Sequence, residues 1–346
     1  MEKIAKIILL LFVILLSLII IVRILGLVNR VSNPGRTDTE VSAFSAFSEE
    51  SDSNGISFRH TLTEEEINNI IARCDFRSDM YIYYQALEPE EKKAYCLIYD
   101  CVSRADSEVL WGDRVDITED KVMDVVNSVY LDHPELFWME NGASYSFGPR
   151  NKKVMTVKPR YNDLINNLET NKTVFNTNCN TILSEARQHA SEGIIYQEAI
   201  IHDRLCEGCV YNLDAPNNQS AYSCIVGGST VCSGYARAFQ YLMRELGVPT
   251  YYVMGQSLLS DDNGAHAWNI VMLNGNAYDV DVTWDDVLWD DMGAPAHAYF
   301  NVTDSRISST HSRDEISNLL PDCVSDDLSY DKVIGDTIMI EDINWR

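Results

Sequence analysis

The sequence predicts an α+β chain, with helices first and an antiparallel sheet after them. Three observations carry this. VCSGYARAFQYLMRELG reads as an amphipathic helix that starts at Cys232 and is stopped by Gly247 and Pro249. HAWNIVML and AYDVDVTW alternate as strands do, and Asn274-Gly275 between them is the signature of a two-residue hairpin turn.

The earlier elements follow from pattern. Thr63 heads EEEINNIIA, with acids in the first turn, as a helix start requires. A second helix is expected from Glu88 to Val102. A third begins after Thr118, where Val122, Val125, Val126, Val129 and Tyr130 form one apolar stripe. DHPELFWMENGASYSFG breaks that periodicity, and Lys153 to Lys158 reads as a short strand. Phe137 and Trp138 are expected in the core. Helices are expected over residues 182–191 and 194–207, a loop with Gly227 and Gly228 over 221–230, a strand over 250–255 and a polar loop over 257–264. The hairpin strands are expected at 266–273 and 277–284.

A formal charge of −25 over 346 residues argues against nucleic acid and anionic lipid headgroups as partners. With 46% hydrophobic residues, the chain can build a substantial core. Lys3 and Lys6 precede an uncharged run from Ile7 to Val22, and apolar residues continue past Arg23 to Val28. At ~1.5 Å per residue this run crosses a hydrocarbon layer of ~30 Å, so it reads as an uncleaved signal anchor with the bulk of the chain outside the cell membrane. The expected organisation is a cytoplasmic stub and anchor at 1–30, a Ser/Thr/acid-rich linker at 31–60, and a mainly helical region at 61–175. A catalytic domain at 176–325 and a tail at 326–346 follow. Nine cysteines suit an exported, disulfide-bonded protein, and the odd number leaves Cys232 as the expected free thiol.

Cys232, His266 and Asp281 supply what a cysteine nucleophile needs: a thiol, an imidazole to move its proton, and a carboxylate to hold the imidazole. A helix start favours the thiolate electrostatically. If Asn274-Gly275 is a two-residue loop, Leu273 faces Asn276 and His266 faces Thr283. Asp281 is then a diagonal neighbour of His266 on the same sheet face, and Asp279 shares that face. Gly234 leaves room for a substrate backbone, and Trp268 is a second candidate for lining the substrate site. Taken alone, Cys232 would read as a buried or disulfide-bonded cysteine. A four-thiolate zinc site from Cys206, Cys209, Cys224 and Cys232 competes with the nucleophile reading, but its second pair lacks the close spacing of the first. The acids at 279, 281, 285, 286, 290 and 291 lack the spacing of a calcium loop and read as a solvated rim. No metal or cofactor is expected.

These residues resemble the transglutaminase-like superfamily, and bacterial surface proteins with that domain in particular. The likeness covers about residues 195–311: IIHDRLCEGCVYN with His202, Asp203 and Tyr211, GGSTVCSGYARAFQYLMRELGVP, HAWNIVMLNGNAYDVDVTWDD and YFNVTD. The resemblance implies a papain-like fold with Cys232 as nucleophile, His266 as general base and acid, and Asp281 as orienting carboxylate. It implies a protein or peptide substrate, with an amine as possible second substrate. Animal members stabilise the oxyanion with an upstream tryptophan, and no Trp lies between Trp138 and Trp268 here. Tyr211 and Tyr222 are the candidates to replace it, beside the Cys232 N–H. Nothing resembles the calcium sites of the animal enzymes. A surface binding module that keeps the fold without turnover is the alternative reading.

Overall fold

The computed structural model describes residues 60–76, 79–148, 152–259, 264–293 and 295–343. The expected membrane run at 7–28 lies outside them, as does the linker up to residue 59. Among the described residues no helix is long and apolar enough to cross a membrane.

Thr63 and Glu66 form a reciprocal capping box that starts α1 (Glu64–Arg73). Then come α2 (Ile82–Ala86), α3 (Pro89–Ser103), β1 (Val109–Leu110) and α4 (Glu119–Asp132). Proline at the first position of α3 gives up an N–H that has no helical partner there. β2 (Met139–Phe147) and β3 (Val154–Tyr161) pair antiparallel, and β1 joins them in the order β1-β3-β2. β2 falls where the sequence pattern breaks, because register shifts after Met139 and at Ser146 spoil its alternation.

α5 (Leu168–Gln188), α6 (Ile194–Gly208), β4 (Val210–Tyr211), α7 (Ala221–Ile225), β5 (Ser229–Thr230) and α8 (Cys232–Glu245) follow. α5 starts at 168 rather than 182. Its Asn- and Thr-rich first half is poor helix sequence, yet Thr173, Thr177 and Thr181 each donate to the carbonyl four residues back. α7 occupies the expected loop because the Ser220 hydroxyl caps it at Ser223 N–H.

The main sheet contains β6 (Thr250–Ser257), β7 (Ala265–Leu273), β8 (Asn276–Val280) and β9 (His311–Arg313), all antiparallel in the order β8-β7-β6-β9. Asn274 and Gly275 both take positive φ, 51° and 84°, so Leu273 pairs with Asn276 as the turn type demands. β8 ends at Val280, not at 284. Asp281 accepts from the N–H groups of Thr283 and Trp284 and so caps α9 (Val282–Met292), a helix where the sequence pattern suggested strand. Two short helices, α10 (Asp304–Ile307) and α11 (Tyr330–Val333), complete the chain's main elements.

α8 lies on this sheet, and fully buried Asn269 of β7 donates to its Ala236 carbonyl. On its other side α8 is tied to α4. Fully buried Arg237 donates to the carbonyls of Tyr130 at 2.5 Å and His133 at 2.9 Å, and Gln240 donates to that of Leu131. The Tyr83 hydroxyl donates to the Tyr252 carbonyl on β6. The early helices and the sheet therefore share one hydrophobic core.

No disulfide forms. All nine cysteines are free thiols, which corrects the expectation of a bridged framework. Cys101, Cys179, Cys206 and Cys323 are buried; Cys101 donates to the Asp106 carbonyl at 3.4 Å, Cys206 to that of Val282 at 3.7 Å, and Cys323 accepts from Arg313 at 3.7 Å. Cys74 Sγ donates to the Cys96 carbonyl at 4.0 Å, and Cys209 Sγ to that of Val210 at 4.0 Å.

Candidate active site

Cys232 is the first residue of α8, at a helix start with no side-chain cap. The first N–H groups of a helix have no partner inside it, and in this turn that of Gly234 goes back to the Val231 carbonyl at 2.9 Å. Cys232 is half-buried and lines a cleft of about 550 Å³ together with Ser233 and His266. Its hydroxyl neighbour Ser233 is fixed by Tyr252, which donates to it at 2.9 Å, and by donating in turn to the Gln219 carbonyl.

β7 delivers His266 beside the thiol. His266 Nε2 donates to Asp281 Oδ2 at 2.6 Å, and Cys232 lines the same cleft beside that ring. With Nε2 held by the carboxylate, Nδ1 is the ring nitrogen left for the thiol. Burial alone would lower the His266 pKa. The charge and hydrogen bond of Asp281, and then Cys232, outweigh it and raise the group to about 10. Asp281 is fully buried, which by itself disfavours its charge. The imidazoles of His266 and His311 nevertheless hold it well below the usual carboxylate range.

Asp281 divides its two oxygens. Oδ1 caps α9 and Oδ2 takes both imidazoles, with His311 Nε2 at 2.9 Å. His311 sits on β9, is 2% exposed, and has its Nδ1 2.7 Å from the Thr310 hydroxyl. Its pKa is lowered, because burial outweighs the pull of Asp281. No spacing in the sequence singled it out. It lies thirty residues beyond Asp281 on an edge strand, and only the pairing of β9 with β6 brings it in.

Other expected site residues lie elsewhere. Trp268 is 1% exposed and does not line the cleft; its ring stacks behind His266 at 5.9 Å while its indole N–H donates to Asp279. Gly234 does not line the cleft either. A Cβ there would lie 1.8 Å from Thr230 Oγ1 and 3.0 Å from the Ser220 carbonyl, so the glycine serves the approach of α8 to the preceding loop. Tyr222 turns away, its hydroxyl donating to Asn171 and its ring set among Phe137 and Phe175. Tyr211 stays near. It is 44% exposed, and its hydroxyl pKa is raised by burial and by the charges of Cys232 and Asp281. The cleft wall carries carboxamides that no spacing in the sequence groups, including Asn162, Asn217, Asn218 and Gln219.

The acids are not a solvated rim. Asp279, Asp281 and Asp285 are fully buried and Asp286 nearly so, each with partners: Trp268, His266, His202 and Tyr235 respectively. Asp290 alone of the described set is exposed. Among the described residues, three groups bring donor atoms close enough to share an ion: His202–Asp203–His297, His266–Asp281–His311 and Asp279–Asp304–Cys323. The four cysteines considered for zinc are not among them.

Residues 182–284 match the family model of the transglutaminase-like superfamily. No curated protein matches the chain. Similar solved structures include a candidate cysteine protease from Cytophaga hutchinsonii, 22% identical over 30% of this chain and 37% of that one, with a TM-score of 0.27. The periplasmic domain of TgpA from Pseudomonas aeruginosa, bound to ethylmercury, is 23% identical over 32% of this chain and 44% of its own, with a TM-score of 0.27. A structure described as a TGase is 12% identical over 51% of this chain and 50% of its own, with a TM-score of 0.26. The chain thus spans half or less of each of these structures. The stretch that matches the transglutaminase-like model, residues 182–284, holds the Cys232 helix, the His266 strand and the Asp281 cap.

Proposed function

We propose that the protein is a thiol enzyme that attacks peptide or glutamine amide bonds through Cys232, His266 and Asp281. The observation that carries this is the hydrogen bond from His266 to Asp281, with Cys232 beside the same ring at the wall of a cleft. The Cys232 thiolate adds to the amide carbonyl, forming a C–S bond. The His266 imidazolium gives its proton to the departing amine as the C–N bond breaks, which leaves a thioester. Neutral His266 then takes a proton from water or from a second amine as that nucleophile displaces the thiolate, giving hydrolysis or crosslinking. Asp281 holds the ring in one tautomer throughout. The oxyanion would be met by the Cys232 N–H, with Tyr211 the nearer of the two tyrosines considered.

Hydrolysis is the favoured fate, with acyl transfer to an amine as close second. The apolar run at 7–28 supports a protein anchored in the cell membrane with its catalytic domain outside. A binding module of the same fold without turnover is the competing reading. Iodoacetamide at neutral pH separates the two: Cys232 should be modified ahead of the other eight thiols, and more slowly once His266 is replaced by Ala. Equal modification of Cys232 in both proteins would overturn the enzyme reading. Incubation with a glutamine-bearing protein and a fluorescent amine then separates incorporation from cleavage.

A further inference from the structure

We propose that His202, Asp203 and His297 form a zinc site, apart from the catalytic cleft, that fastens α6 to the segment after α9. Asp203 Oδ1 lies 3.2 Å from His202 Nδ1 and 2.7 Å from His297 Nε2, and the three donor atoms all fall within 4.8 Å of one another. Tetrahedral ligands about 2.0–2.1 Å from zinc stand roughly 3.3–3.4 Å apart, so small side-chain shifts admit the ion. Two imidazoles and a carboxylate are a donor set that zinc favours, with the fourth position left for water.

The surroundings hold the donors in place as outer partners of a metal site do. His202 turns its other nitrogen, Nε2, to the fully buried Asp285 carboxylate at 3.1 Å, which leaves Nδ1 directed at Asp203. Asp285 is itself held by the Tyr299 N–H at 3.1 and 3.2 Å. The His297 ring stacks on Tyr330 with centroids 3.6 Å apart and planes 7° apart, which fixes its direction. The group gathers two carboxylates around two imidazoles, a charge set that a dication neutralises. Asp203 gives access from solvent, its side chain being 29% exposed, whereas both histidines are buried. None of the three residues lines the cleft. The site nonetheless bears on it, since Asp285 follows Asp281 by one turn of α9 and both are anchored from outside that helix.

Adjacent His202-Asp203 and distant His297 share no recognisable ligand spacing, so no metal is expected from the residues alone. The test uses the full-length chain purified in detergent with Cys232→Ala, which removes the cleft thiol as a competitor for zinc, while the other eight thiols stay in every variant compared. Equilibrium dialysis against zinc chloride should give one bound equivalent at micromolar free zinc or below, and bound zinc should raise Tm. His297→Gln and, separately, Asp203→Asn should weaken binding about 100-fold or more and abolish the Tm rise, with far-UV circular dichroism unchanged. His311→Gln should leave zinc binding intact. Absence of binding in the Cys232→Ala protein, or binding lost with His311 but not with His297 or Asp203, would overturn the assignment. This readout involves no turnover, so it stands or falls separately from the thiol-enzyme reading.

Discussion

Asp281 grips His266 through one oxygen only, Oδ2 at 2.6 Å, because the other is committed to the first turn of α9. Orienting an imidazole and starting a helix are thus one task here. A carboxylate anchored by two backbone N–H groups cannot swing, and the ring it holds inherits that rigidity.

Asp281→Asn tests the division of labour. Asparagine keeps an oxygen for the cap but replaces the charge at His266 with an amide. Turnover of a peptide or glutamine substrate should fall by about three to four orders of magnitude. Thermal unfolding should show the helix start largely retained. A loss of folding equal to the loss of rate would mean that the cap, not the charge, was the residue's main contribution.

His311→Gln removes the second imidazole from Oδ2 while leaving a side chain able to donate a hydrogen bond. Replacement by Ala leaves the buried oxygen with one partner fewer, and a hydrogen bond to a charged group contributes about 1.5–3 kcal/mol. The rate should fall roughly 10- to 100-fold for His311→Ala and less for His311→Gln. Equal rates in both variants and the native protein would show that Oδ2 needs His266 alone.

The His266 pair predicts a stability that declines toward alkaline pH. Its folded pKa is raised from 6.5 to about 10, so the stabilisation is complete below 6.5 and is lost as pH climbs to about 10. Asp281 is depressed, so its share is present above its ordinary value of 3.8 and is lost only in stronger acid. Urea denaturation at pH 6, 8 and 9.5 should show the gap between the native protein and His266→Gln closing as pH rises. A gap of constant size would contradict the ion pair.

Gly234→Ala should destabilise by about 1–3 kcal/mol, the usual cost of overpacking. The new methyl would meet the Thr230 hydroxyl, itself held by Asn218 and Ser223, so the neighbour cannot yield freely. Chemical denaturation measures this directly. Thr230→Ser should not relieve the strain, because the hydroxyl stays, whereas Thr230→Ala should recover part of it.

Much of the candidate site was legible because turn chemistry is local. Asn274-Gly275 fixes the register, the register puts His266 and Asp281 on one side, and the Cys232 helix announces itself by its apolar stripe. The misreadings came from rules that compete over a few residues. Val282, Thr283 and Trp284 favour strand by propensity, and one capping carboxylate makes them helix. The Thr-rich start of α5 hides a helix whose hydroxyls bond backward along it. His311 and His297 were invisible because long-range docking, not spacing, brings them to their aspartates.

Arg237 carries one more consequence. It belongs to the helix that bears the thiol, yet both carbonyls it satisfies lie about a hundred positions upstream, before the stretch recognised as the domain begins. An excised 182–284 fragment would lack both carbonyls and leave the face of α8 that packs on α4 uncovered. The matched stretch and the smallest piece able to stand alone therefore have different borders, and the upstream helices are its chassis.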